Sequence, residues 1–88
     1  MITKSSKYAD YIKEHPSHAL SEQTFYKFPN GYGASVIYGE YTYGLELAVI
    51  KWDKNDGTCD TDYSTSVTSD VVGYIDDLDA VLEEIYNL

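Results

Sequence analysis

Pro29-Asn30-Gly31 stands between two runs rich in β-branched and aromatic residues, Gln23–Phe28 and Gly33–Tyr38. That arrangement constrains the chain more than any other. Proline presets φ for a turn, while asparagine and glycine tolerate the positive φ that a tight reversal needs. Thr24–Tyr38 is therefore expected to form a β-hairpin. Leu45–Trp52 is the strongest strand candidate: Leu45, Leu47, Val49 and Lys51 alternate onto one face, with Glu46, Ala48, Ile50 and Trp52 on the other. Its second half is apolar on both faces, which places it centrally in a sheet. Asp53-Lys54-Asn55-Asp56-Gly57 reads as a second turn, and Thr58–Tyr63 as a return strand. The alternating acids Asp60 and Asp62 suit an edge with one solvated face.

Helical spacing appears at both ends. Tyr8, Tyr11, Ile12 and His15 recur at i, i+3, i+4 and i+7, which predicts a helix of two turns. Ser5 or Ser6 is placed to cap it, and Pro16 stops it. Near the C-terminus, Thr68, Ser69 or Asp70 caps a short first turn through Val71 and Val72, which Gly73 interrupts. Asp76 or Asp77 then caps the main helix, where Leu78, Val81, Leu82, Ile85 and Leu88 form an apolar stripe suited to lie on a sheet. The expected fold is α+β: a small antiparallel sheet of three to four strands packed against a C-terminal amphipathic helix, with a short N-terminal helix. Eighty-eight residues hold one core, so residues 1–88 are read as one domain, with the N-terminal helix in 1–16, the sheet in 23–63 and the C-terminal helical segment in 69–88.

Charge is distributed unevenly. Met1–Lys54 carries six lysines and six acids, whereas Asn55–Leu88 carries nine acids and no base, which gives the net charge of −9. Arginine is absent. Concentrated like charge costs self-repulsion and creates a field that a partner can use. Such acidity argues against direct binding to nucleic acid or to a membrane of anionic lipid, both of which attract lysine and arginine. Ten tyrosines suit half-buried strand faces and also interfaces, because each offers a large ring with a polar tip. The single cysteine, Cys59, forms no intramolecular bridge. No signal peptide is expected from Met1–Lys7, no apolar run approaches the roughly 20 residues of a membrane span, and a reducing cytoplasm fits these features.

Candidate sites follow from these patterns. The first is an acidic partner-binding surface built from Asp60, Asp62, Asp76, Asp77, Asp79, Glu83 and Glu84. Spaced carboxylates on a rigid scaffold can occupy lysine and arginine clusters that otherwise hold phosphates; the bland alternative is a face kept negative for solubility. The second is an aromatic loop, Tyr41 and Tyr43 with Tyr38 near by, either an interface patch or rings packed on the sheet edge. Asp53–Gly57 resembles the opening of a calcium loop, but glycine stands fifth and Ser64 occupies the position that needs a glutamate, so it reads as a turn. His15, His18 and Cys59 lack the spacing for zinc. Acids flank Cys59 and would suppress its thiolate. Gly31-Tyr32-Gly33 lacks the third glycine of a phosphate loop, and no nucleophile elbow is present. No catalytic residue, cofactor or metal is expected.

Three stretches, Phe28-Pro29-Asn30-Gly31-Tyr32-Gly33-Ala34-Ser35-Val36-Ile37, Tyr43-Gly44-Leu45-Glu46-Leu47-Ala48-Val49-Ile50-Lys51 and Thr68-Ser69-Asp70-Val71-Val72-Gly73-Tyr74, resemble a family of short proteins encoded by tailed bacteriophages. The resemblance spans Thr24–Leu88 and leaves the N-terminal helix uncovered. The chain departs from the pattern at Ser66, where members carry a proline in a Thr-Pro-hydrophobic-Thr stretch. The resemblance implies expression in the cytoplasm of an infected bacterium and brings no catalytic residues. Small acidic phage proteins often bind and disable host proteins, so the leading expectation is a non-enzymatic accessory protein that inhibits a host protein through a phosphate- or DNA-mimicking surface, an anti-defence role. The expected partner is a host or phage protein with a basic surface. The alternative is an oligomeric or virion-associated structural protein, a homodimer for instance, that assembles through tyrosine-rich sheet edges. A weaker third reading is a nucleotide- or peptide-binding module on the open sheet face.

Overall fold

The chain reverses at Pro29–Gly31, where Gly31 adopts φ 88° and its N–H donates to Phe28 O at 3.1 Å. The computed structural model describes residues 3–14, 22–39, 44–53, 57–61 and 77–88. Strand β1 is Ile12–Lys13, β2 Glu22–Lys27, β3 Tyr32–Tyr38, β4 Glu46–Trp52 and β5 Cys59–Thr61, and helix α1 is Leu78–Tyr86. The strands form one antiparallel sheet in chain order, β1-β2-β3-β4-β5. The hairpin pairs Glu22 with Tyr38 through to Lys27 with Gly33, and β4 continues the meander with Tyr32 opposite Lys51 and Ile37 opposite Glu46. A second reversal closes where Asp53 N–H donates to Thr58 O at 2.8 Å and Gly57 N–H to Asp53 O at 3.3 Å, as a hairpin turn requires. The result is a small α+β fold.

Direct cross-strand partners share a face. Thr24, Tyr26, Ala34, Val36, Leu47 and Val49 therefore line one side of the sheet, and all six are buried. Helix α1 covers this side with Leu82 and Ile85, both fully buried, while Leu78 and Val81 pack at the margin. Burying each of the two central side chains contributes about 1.5–3 kcal/mol. The Asp77 carboxylate starts the helix by accepting from Ala80 N at 3.1 Å, as the capping pattern predicts. The apolar stripe ends one step early: the helix stops at Tyr86, and Leu88 lies outside the core. On the opposite face of β4, Ile50 and Trp52 are also buried, in keeping with a strand that has neighbours on both sides.

The N-terminal segment departs from the predicted two turns. Its short helix is a single 3-10 turn, Ala9–Tyr11, and the chain then extends so that Ile12 pairs with Tyr26 and Lys13 with Phe25. Two turns of isolated helix are marginal in water. Extension gives Ile12 a place beside the core as well as ladder hydrogen bonds, so tertiary pairing outweighs the helical period. Ser5 still acts near the turn, with its Oγ accepting from Tyr8 N at 3.2 Å.

Candidate functional site

Four of the seven predicted acidic site residues have described side chains: Asp77, Asp79, Glu83 and Glu84. Asp60 is placed on β5 opposite Lys51, and Asp62 and Asp76 lie outside the described residues. Tyr41 and Tyr43 lie outside them too, as do His15, His18, Ser64 and Ser66. Helix α1 brings its four acids together, but it employs three of them in the fold. Asp77 caps the helix. Asp79 accepts a hydrogen bond from Ser5 Oγ. Glu83 lies 3.8 Å from Lys7 Nζ, both side chains more than half exposed. An exposed ion pair of this kind contributes 0–1 kcal/mol, so it holds Glu83 only weakly. Lys7 also stands 5.5 Å over the Tyr8 ring. The lysine of the balanced front half thus reaches over the acidic helix and offsets part of its field.

Beside these acids lies an aromatic cluster that the charge pattern does not announce. Tyr8, Tyr11, Phe28 and Tyr86 contact one another in every pairwise combination, with centroid separations from 5.4 Å for Tyr11–Phe28 to 6.2 Å for Tyr8–Tyr11. Four of these six contacts are edge-to-face, an arrangement that the ring quadrupole favours, and the other two are tilted. Phe28 and Tyr8 are buried, Tyr11 is half-buried, and Tyr86 is 39% exposed. A hydrogen bond shared with Tyr86, aided by desolvation, raises the Tyr11 pKa above its ordinary value. Leu88, 37% exposed, continues the apolar surface past the helix end. Among the tyrosines named from sequence, Tyr38 is described: it is 42% exposed, at the end of β3 and opposite Glu22. The i, i+3 spacing of Tyr8 and Tyr11 was the available sequence signal for the cluster, but it pointed to a helix face, not to rings that meet Tyr86 from the far end of the chain.

Asn30 joins the hairpin to this surface. Its Nδ2 donates to the carbonyls of Ile85 at 2.9 Å, Tyr86 at 3.1 Å and Leu88 at 3.4 Å, and its Oδ1 accepts from Tyr32 N at 2.9 Å. The last carbonyls of a helix have no intrahelical donor. A turn residue from the sheet supplies one here.

The N-terminal segment is tied down by Glu22, whose Oε2 accepts from Thr3 N at 2.8 Å and from Thr3 Oγ1. The Thr3 hydroxyl also bonds Thr24 Oγ1 at 2.8 Å. The hydroxyl bond is the main cause that holds the Glu22 carboxyl below its ordinary 4.5; the Thr3 N–H and the Lys4 charge add to it, and desolvation opposes them. A depressed carboxylate contributes stability that is present above its unfolded pKa and is lost as pH falls through the folded value. Glu22→Gln is therefore expected to flatten the acid limb of stability against pH below about 4.5. Urea titrations of both proteins across that range check it, and coincident acid limbs would refute it.

A groove of about 510 Å³ at the β1–β2 edge is lined by Lys4, Ile12, Lys13, Glu14, Gln23, Thr24 and Phe25. Among the described residues no three His, Cys, Asp or Glu side chains converge as metal ligands, and no helix is long and apolar enough to cross a membrane. No family model matches the chain, and neither a curated protein nor a solved structure does.

Proposed function

We propose that this chain is a phage-encoded accessory protein that binds and inhibits a host protein, and that the outward side of α1 makes the contact. The carrying observation is the composition of that side. Asp77, Glu83, Glu84, Tyr86 and Leu88 are all exposed there, and no basic residue lies within Leu78–Tyr86. Carboxylates beside a half-exposed aromatic cluster combine the two ingredients of a protein-binding patch, an apolar anchor and a charged rim. Glu84 has no assigned role in the fold, and Glu83 is held only by a solvent-exposed lysine. Such a patch complements lysine or arginine clusters, including those that hold phosphates, so mimicry of a nucleic acid backbone remains the proposed means. The resemblance to tailed-phage proteins supplies the setting in a bacterial host cytoplasm.

The test is capture from a bacterial host lysate by the immobilised chain and by a Glu83→Lys, Glu84→Lys variant, each at low and raised salt. The wild type is expected to retain a discrete partner at low salt, to release it as screening shortens the Debye length from about 10 Å at 0.1 M to about 3 Å at 1 M, and to lose it on charge reversal. Retention that ignores both salt and reversal refutes the acidic contact. The rival reading, self-assembly, draws on the exposed ring of Tyr38 at the end of β3. Size-exclusion with light scattering separates the two, since a stable dimer or larger ring favours assembly and a monomer counts against it.

A further inference from the structure

We propose that Asn30 is a spontaneous deamidation site that the native fold holds shut, and whose conversion uncouples α1 from the sheet. Asn30-Gly31 is the one asparagine–glycine pair in the chain. The reaction needs no enzyme. The Gly31 backbone nitrogen, after losing its proton to solvent base, attacks Asn30 Cγ; a bond forms between them, solvent returns a proton to Nδ2, the Cγ–Nδ2 bond breaks, and ammonia leaves. The cyclic imide then takes up one water. Opening on the Cγ side gives aspartate, and opening on the main-chain side gives isoaspartate, in which the backbone runs through Cγ. Glycine permits the attack because no Cβ crowds the nitrogen.

The fold opposes each part of that approach. The attacking nitrogen is engaged, since Gly31 N–H donates to Phe28 O at 3.1 Å. The amide under attack is pinned: Nδ2 donates to the carbonyls of Ile85, Tyr86 and Leu88, and Oδ1 accepts from Tyr32 N. Asn30 Cγ turns toward Gly31 N only if these bonds break together. Asn30 is itself exposed, so this set of bonds is what holds it, and all of them are lost together when α1, whose Leu82 and Ile85 share a core with Val36 and Leu47, leaves the hairpin. Deamidation is therefore gated by opening of the helix–sheet contact.

The product does not restore the anchor. Aspartate has no side-chain N–H to offer, and its charge faces the negative end of the helix dipole. Isoaspartate adds a backbone carbon to a turn whose length sets the pairing of Lys27 with Gly33. Either product removes the side-chain donor to the Ile85, Tyr86 and Leu88 carbonyls, and Ile85 O keeps its bond from Leu88 N at 3.1 Å.

The experiment incubates the whole chain in mildly alkaline buffer over a series of denaturant concentrations, then counts conversion at the Asn30-Gly31 peptide by mass. Loss of the amide is expected to be at least about tenfold faster in the unfolded chain than in buffer, and to track the unfolded fraction between the two. Equal rates in buffer and denaturant overturn the gating. In a second arm, the deamidated chain is separated by its extra negative charge, refolded and melted. A lower midpoint than the unmodified chain is expected, and an unchanged midpoint overturns the anchoring role.

Discussion

Gly33→Ala is expected to destabilise the protein by about 3 kcal/mol, a large part of the stability available to a domain of this size. A Cβ at position 33 would stand 1.8 Å from Tyr26 O and 2.7 Å from Trp52 Nε1. The first obstacle is main chain of the neighbouring strand, which no rotamer change removes. Gly33 is bare because the Trp52 indole crosses β3 at this point. From β4 it reaches over β3 and donates to Tyr26 O on β2 at 2.8 Å, with Phe25 edge-on at 6.4 Å and Lys27 over its ring at 5.9 Å. Three strands are thereby cross-linked through one side chain. Chemical denaturation measures the loss, and adding Trp52→Phe is expected not to rescue it, because the clash with the Tyr26 carbonyl persists. A Gly33→Ala protein as stable as the wild type would mean that β2 and β3 do not approach so closely.

Tyr26→Phe is expected to cost about 2 kcal/mol, although it removes a single oxygen atom. Tyr26 is fully buried, and its hydroxyl donates to Thr3 O at 2.6 Å and accepts from Ser5 N at 2.9 Å. Phenylalanine keeps the ring and leaves both main-chain groups buried without a partner, which is why the cost exceeds that of an ordinary hydrogen bond. Two readouts separate this from general loosening. Hydrogen exchange at the Ser5 amide should accelerate before that of β3 and β4. Alkaline stability should also change shape. Burial raises the Tyr26 pKa above its ordinary 10.0, with Asp79 and Glu22 adding to the rise and the Ser5 N–H opposing it. A raised pKa means that the group's contribution is complete below pH 10.0 and is lost as pH rises through the folded value, so the variant should show a shallower decline there. Unchanged stability and unchanged exchange at Ser5 would show that the hydroxyl does not hold the N-terminal segment.

The sheet was legible because its information is local. The β-branched and aromatic runs Gln23–Phe28 and Gly33–Tyr38 around Pro29-Asn30-Gly31, with the alternating run Leu45–Trp52, place three strands to within one residue of Glu22–Lys27, Tyr32–Tyr38 and Glu46–Trp52. The stripe from Leu78 to Ile85 was legible for the same reason, as was a cap at Asp76 or Asp77, of which the helix uses Asp77. The N-terminal helix was overestimated because its period describes what a segment favours alone, whereas Ile12 is placed by Tyr26 across a strand ladder. The candidate site was legible as composition and not as arrangement. Nine acids in the last third are visible in the chain, but nothing in their spacing assigns Asp79 to Ser5 or Glu83 to Lys7.

Short-range spacing along the chain sets the alternation of faces, the places where the chain reverses, the start of the final helix and the sign of its charge. Each depends on residues a few positions apart, where backbone geometry alone fixes who faces whom. Folding in three dimensions is what lets Asn30 cap a helix 55 residues away, Tyr26 fasten Thr3 and Ser5, Gly33 clear a path for Trp52, and Tyr86 close an aromatic cluster begun by Tyr8. These pairings join groups that lie far apart along the chain, and burial of the common core brings them within hydrogen-bonding reach.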